Sequence, residues 1–166
     1  MRNLKLKKVR PVATETETLH KNGDDLGLHL VGHSSQESPL GALRAVKDTP
    51  GLHVMGDLYD VTCDHQFMVN ADLLREHCLR LVRDAGLSSV GEFFHQFGGD
   101  GGVTGMVVLA ESHMSLHTWP EKNYVTVDVY VCSYSQDNRP RARQLYQSLL
   151  DTFKPSYEKS HAVERL

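Results

Sequence analysis

From Tyr124 to Val131 the chain reads Tyr-Val-Thr-Val-Asp-Val-Tyr-Val, an alternation in which every second residue is valine. Successive side chains of a strand point to opposite faces, so this run puts Val125, Val127, Val129 and Val131 on one face and Tyr124, Thr126, Asp128 and Tyr130 on the other. A valine face needs a covering layer, and two segments have the pattern to provide it. Asn70 is placed to cap a helix whose Leu74, Cys78, Leu81, Val82 and Ala85 recur at helical spacing until Gly86 stops it. Ala142, Leu145, Leu149, Leu150 and Phe153 define a second amphipathic helix, closed by Pro155. Further strands are predicted over 52–61, 90–97 and 103–110, with a polar turn over 62–66. The order is strand, helix, three or four strands, helix. It predicts an α+β two-layer sandwich, a mostly antiparallel sheet with two helices on one face. The other face of such a sheet must be wet or paired with another protomer.

Residues 1–50 mix charge, Ser, Thr, Gly and His with little sustained period, and are expected to form a poorly ordered N-terminal extension ahead of a folded domain over 51–166. With 40% of 166 residues hydrophobic, that domain can bury a core of its own. A formal net charge of −3 supplies no global basic field to gather nucleic acid, and Arg2, Lys5, Lys7, Lys8 and Arg10 read as a solvated tail. Three cysteines, Cys63, Cys78 and Cys132, form no CxxC pair, which points to free thiols in a reducing compartment. No window reaches the roughly 7–15 apolar residues of a signal-peptide core, still less a membrane span of about 18. A cytoplasmic protein with no membrane or nucleic-acid partner is expected. Gly98, Gly99, Gly101 and Gly102 mark a loop. The segment after it reads as a strand rather than a helix that could aim its N-terminus at a phosphate, so a phosphate cradle is disfavoured.

The chemistry concentrates in Glu111-Ser112-His113-Met114-Ser115-Leu116-His117-Thr118-Trp119-Pro120-Glu121. His113 and His117 are four apart. On a helix they would share a face as metal ligands, but on the strand that the flanking pattern and Pro120 favour they stand about 13 Å apart, too far for one ion. A Ser-His hydrolase is the other bland reading, but the chain has no GxSxG turn and is small for that fold.

This run, ESHMSLHTWPE, closely resembles the self-processing motif of the prokaryotic S-adenosylmethionine decarboxylases, ESH followed by an HTWPE block. The likeness continues through His53 to Tyr59 (the family's opening strand), Phe94-His95-Gln96-Phe97 (its FHxF element), Gly102-Val103-Thr104-Gly105 (its GVSG element) and the strand Val127 to Cys132 ending in a cysteine. It covers about residues 51–155.

The resemblance implies a chain that cuts itself between Glu111 and Ser112 into a beta chain, 1–111, and an alpha chain, 112–166. Attack of the Ser112 hydroxyl on the Glu111 carbonyl turns an amide into an ester; elimination leaves dehydroalanine, and hydrolysis leaves a pyruvoyl group at 112. That group binds a substrate amine as a Schiff base and withdraws the electrons left when carbon dioxide departs, with no added cofactor. By the same resemblance His117 is the processing proton acceptor, and Thr104, in place of the family's serine, keeps a hydroxyl to polarise the Glu111 carbonyl. Cys132 is the proton donor to the substrate carbon. Glu121 holds the ribose hydroxyls of S-adenosylmethionine, Phe97 stacks on adenine, and Asp57 stands where the family often has a pocket Glu. The expected product, decarboxylated S-adenosylmethionine, is the aminopropyl donor of spermidine biosynthesis. Relatives that act on arginine or ornithine keep the same self-processing chemistry, and a non-processing regulatory partner subunit is the alternative from another class. Strict alternation puts Ser112 and His117 on opposite faces of a straight strand. Either the strand bends after cleavage or the site borrows groups from a second protomer, and a homo-oligomer with its sites near the interface is expected.

Overall fold

The computed structural model describes residues 49–166. The N-terminal extension expected over 1–50 lies outside the described residues, apart from its last two. Chain order is β1 (Gly51–Val61), α1 (Gln66–Val69), α2 (Ala71–Asp84), β2 (Ser89–Gln96), β3 (Val103–Leu109), β4 (Ser112–Trp119), β5 (Tyr124–Val131), α3 (Arg139–Phe153) and β6 (Pro155–Arg165), with a 3-10 turn at Pro120–Lys122. The strands make one sheet in the order β2-β3-β4-β5-β1-β6, every neighbouring pair antiparallel.

The two long helices form where the periodicity puts them. Asn70 Oδ1 accepts from the Leu73 N–H at 3.0 Å, capping α2, and Gly86 ends that helix with φ +71°, a conformation that costs a residue without Cβ little. Helix α3 has Pro140 in its first turn and turns out of the helix at Lys154, φ +48°. Both helices cover one face of the sheet. Leu74, Cys78 and Val82 of α2 and Leu145, Leu149 and Phe153 of α3 are fully buried with Val125, Val127, Val129, Val131, Met114 and Leu116 of the central strands. Burying a side chain of this size is worth about 1.5–3 kcal/mol, so the valine alternation and the two apolar stripes anchor the two-layer architecture.

Two elements lie beyond the periodicity. The turn at 62–66 runs into one-turn helix α1, whose Met68 is buried. After Pro155 the chain pairs residue for residue with β1, from Val61↔Pro155 to Gly51↔Arg165, as the sixth strand. Its sequence, Tyr-Glu-Lys-Ser-His-Ala-Val-Glu-Arg, has no apolar alternation, because an edge strand with little buried surface is free to carry charge.

The face away from the helices is open. Register across β1, β5, β4, β3 and β2 aligns Asp57, Thr126, His117, Thr104 and His95 in one row, and His53, Tyr130, His113, Val108 and Gly91 in another. Phe93, Met106, Val108, Tyr157 and Val163 are exposed. An aromatic row runs from β6 to β4 through Tyr157, Tyr59, Tyr124, Trp119 and His117, with successive ring centroids 5.6, 5.0, 5.1 and 5.8 Å apart.

Candidate active site

The tight turn between β3 and β4 brings Glu111 and Ser112 to the end of the sheet where Cys132 leaves β5. Ser112 opens β4 opposite Val131 and Leu109. Its φ is +135°, a value L side chains rarely adopt, and a non-glycine residue so placed carries about 1–3 kcal/mol of backbone strain. The carbonyl of the peptide it shares with Glu111 accepts the Cys132 N–H at 2.9 Å. Alternation groups Ser112 with the buried Met114, Leu116 and Thr118, yet its Oγ stands 3.3 Å from His113 Nδ1, on the open face.

Glu111 is held by its side chain as well. Its carboxylate accepts the Tyr134 N–H at 3.1 Å, the Ser135 N–H at 3.4 Å, Asn138 Nδ2 at 2.7 Å and the Ser135 hydroxyl. Beside it Cys132 lines a cavity of about 420 Å³ with Gly51, Tyr130, Ser133, Tyr134 and Arg165, whose guanidinium carbon lies 4.5 Å over the Tyr130 ring.

The opposite end of β3 and β4 gathers a second group. The Thr104 hydroxyl and His117 Nδ1 are hydrogen-bonded across the strand pair. Phe97, Gly102, His117, Trp119 and Glu121 line a cavity of about 340 Å³. The buried Thr118 hydroxyl, beneath this cavity, accepts the Val103 N–H at 2.7 Å and donates to the Met68 carbonyl at 2.7 Å, so α1, β3 and β4 are tied at the cavity floor. Asp57 lies in the same row as His117, two strands away, and accepts the Tyr124 hydroxyl. Burial, and then this bond to a carboxylate, pushes the Tyr124 phenol above its usual range.

The eight residues singled out from the sequence therefore fall into two groups within one chain. Glu111, Ser112 and Cys132 meet at one end; Thr104, His117, Phe97 and Glu121 meet at the other, with Asp57 in their row. Five residue steps along an extended strand take the chain from Ser112 to His117, roughly 16 Å. Thr104 faces His117, not the Glu111 carbonyl of its own chain. Among the described residues no group of three or more His, Cys, Asp or Glu side chains is gathered as a metal would require, and none of the helices is long and apolar enough to cross a membrane. Sequence reasoning weighs His113 only as a metal ligand and passes over Ser135 and Asn138. The signal for Asn138 is ambiguous, since an Asn just ahead of Arg-Pro at a helix start reads as an ordinary cap.

A family model described as S-adenosylmethionine decarboxylase matches residues 52–166. An S-adenosylmethionine decarboxylase proenzyme of Persephonella marina is 36% identical over 120 residues, 72% of this chain and 85% of that one. One from Archaeoglobus fulgidus is 31% identical over 115 residues, 69% of this chain and 96% of that one. The crystal structure of the adenosylmethionine decarboxylase from Aquifex aeolicus superposes with a TM-score of 0.62 at 34% identity, covering 70% of this chain and 91% of that one. The chain belongs to the S-adenosylmethionine decarboxylase family.

Proposed function

We propose that this chain is a proenzyme that cuts itself between Glu111 and Ser112 and then decarboxylates S-adenosylmethionine, as the names of its relatives indicate for those proteins. The observation that carries the reading is the peptide at 111–112: a strained serine, a carbonyl already polarised by a backbone donor, and an imidazole beside the hydroxyl. Ser112 Oγ attacks the Glu111 carbonyl carbon and its proton passes to His113 Nδ1; the Cys132 N–H stabilises the charge on oxygen as the C–N bond breaks to an ester. Cleavage removes the peptide that holds φ at +135°, so the strain favours the forward direction. A base then takes the Cα proton of residue 112, the Cβ–O bond breaks, and Glu111 leaves as a carboxylate. Hydrolysis of the remaining dehydroalanine expels ammonia and leaves a pyruvoyl group.

The residues fit such a group, since Cys132, whose N–H holds the scissile carbonyl, stands on the wall of a cavity beside the bond. When formed, it supplies an α-carbonyl that captures the substrate amine and draws off the electron pair released with carbon dioxide. Cys132 Sγ carries the proton returned to the substrate carbon, while Glu121 and Phe97 hold ribose and adenine at the far cavity, with Asp57 nearby. His117, oriented by Thr104, is the base for the elimination.

His117 and Thr104 reach Ser112 only from a second copy. A two-fold axis perpendicular to β4, passing near Ser115 between two stacked open faces, sets the Ser112 end of one sheet over the His117 end of the other. The exposed Phe93, 65% accessible, and Met106, 41%, support burial of this face in a homo-oligomer. Three unpaired cysteines suit a cytoplasmic enzyme.

Intact mass of the purified protein, with carbon dioxide release from S-adenosylmethionine, arginine and ornithine measured in parallel, tests the reading. Two fragments, 1–111 and 112–166 with a pyruvoyl terminus, and turnover of S-adenosylmethionine are expected. Turnover of arginine or ornithine alone would reassign the substrate. A folded chain that stays whole would point instead to a non-processing partner subunit.

A further inference from the structure

Most peptides preceding a serine in a strand never rearrange, because nothing holds the carbonyl carbon against the hydroxyl long enough. The peptide at 111–112 differs in how firmly its acyl side is fixed, and one residue stands behind that fixation. Asn138 occupies the cap position of α3, yet its side chain makes no cap bond, forgoing an interaction commonly worth about 1 kcal/mol. It is only 1% exposed. Its amide nitrogen donates instead to the Glu111 carboxylate at 2.7 Å and to the Cys132 carbonyl at 3.0 Å. These two residues are already joined by the bond from the Cys132 N–H to the scissile carbonyl. Asn138 itself is held on two sides: Ser133 Oγ accepts its backbone N–H at 3.3 Å, and Arg141 Nη1 donates to its Oδ1 at 3.3 Å. The second interaction leaves the amide nitrogen, and not the oxygen, facing Glu111.

We infer that Asn138 is a positioning residue for self-cleavage, holding Glu111 by its carboxylate and Cys132 by its carbonyl so that the scissile carbonyl is presented to Ser112 Oγ with the Cys132 N–H aimed at the developing oxyanion. The inference rests on the self-processing reading and places Asn138 in its first step. That step is an isomerisation: the Oγ–C bond forms, the C–N bond breaks, and the proton leaving Oγ is matched by one gained at the freed nitrogen, with no water or redox partner consumed. The carboxylate of the residue before the cut thereby acquires a use. It is the handle by which loop 132–138 grips the bond to be broken.

The test is a time course of self-cleavage in the full-length chain, followed by intact mass with and without hydroxylamine, which cuts an ester but not a peptide. Asn138→Asp keeps the shape and sets a carboxylate against Glu111. Cleavage is expected to slow roughly 10- to 100-fold, with no acceleration by hydroxylamine, because the ester itself fails to form. Adding Glu111→Gln to Asn138→Asp reverses the polarity of the pair, and cleavage is expected to return to within about threefold of the unmodified rate. A cooperative melt of each variant in a Ser112→Ala background shows that the chain folds. Cleavage of Asn138→Asp at the unmodified rate overturns the inference alone; so does an ester that accumulates and yields to hydroxylamine, which would move Asn138 to the elimination step. Should Asn138→Asp not fold, the double variant decides: near-normal cleavage supports the inference, and a folded chain that stays whole overturns it. If the unmodified chain never cleaves, the self-processing reading falls first and takes the inference with it.

Discussion

At the scale of single residues, the tightest steric demand at the candidate site is at Gly102. A Cβ there would stand 1.9 Å from the Thr118 carbonyl oxygen, a backbone atom in β4 that cannot swing aside. Gly102→Ala is expected to lower stability by about 1–3 kcal/mol, as overpacking does, and to open the cavity between Phe97 and Glu121. A melting curve, read with the KM for substrate, checks both. The thiols separate as sharply. Burial pushes the Cys78 thiol up to about 12, so near pH 8 its reactive thiolate is only about one molecule in ten thousand. Cys132 lies on a cavity wall. Brief treatment with iodoacetamide at about pH 8 is expected to label Cys132 and leave Cys78 untouched in peptide maps; early labelling of Cys78 would mean that the core between α2 and the sheet opens readily. Under the proposed mechanism, Cys132→Ala leaves the chain cut at the normal place but decarboxylates roughly 100-fold or more slowly. A carbon dioxide assay on the cleaved variant measures that loss.

At the scale of elements, α2 and α3 meet through a polar contact that responds to pH. Thr152 Oγ1 gives its proton to the Ser148 carbonyl at 2.7 Å, so it accepts from His77 Nε2 at 2.8 Å. Arg80 Nη2 donates to His77 Nδ1 at 3.2 Å. Both ring nitrogens are satisfied only when His77 is neutral, and a proton on Nδ1 would face a guanidinium. Burial, and then Arg80, lowers the His77 pKa from 6.5. Between the folded and unfolded values the unfolded chain binds a proton that the folded chain refuses, so stability is full above about 6.5 and falls as the pH drops through it. His77→Gln removes this dependence. From about pH 7 to 5.5 the unmodified chain should lose melting temperature faster than the variant, a difference that parallel thermal melts will show. The same scale explains what the periodicity reaches. Helices α2 and α3 and strand β5 each lay an apolar stripe against the core, so burial wrote their pattern into the sequence. Strand β6 is held by its ladder to β1 and by polar ties such as Tyr146 to Glu158 at 2.9 Å and Arg139 to Glu164 at 3.1 Å, none of which needs an apolar period. Helix α1 is a single turn, too short for a period to be read.

For the whole molecule, the separation of Ser112 from His117 along one strand makes the second copy part of the proposed chemistry, and mixing variants tests it directly. Ser112→Ala chains cannot form the pyruvoyl group, and His117→Ala chains lack the base for elimination. Co-expressed, random pairing makes about half of the dimers hybrids. Each hybrid holds one site with Ser112 from one chain and His117 from the other. Cleaved fragments carrying the His117→Ala mass are expected from the mixture and not from either variant alone. Their absence, with dimers present, would return His117 to a site within its own chain.

Sequence alone reached the two-layer architecture and the family, because core burial imposes a period and because the residues of ESHMSLHTWPE lie next to one another in the chain. It also exposed the conflict between Ser112 and His117, since strand alternation is a local rule. The folded chain settles who faces whom: Thr104 meets His117 across β3 and β4, Cys132 donates its N–H to the Glu111 carbonyl at the 111–112 bond, and Asn138 turns from its helix to grip Glu111. These contacts join residues 13 to 27 positions apart. No local pattern encodes such pairings; strand register and the packing of α3 against the sheet set them.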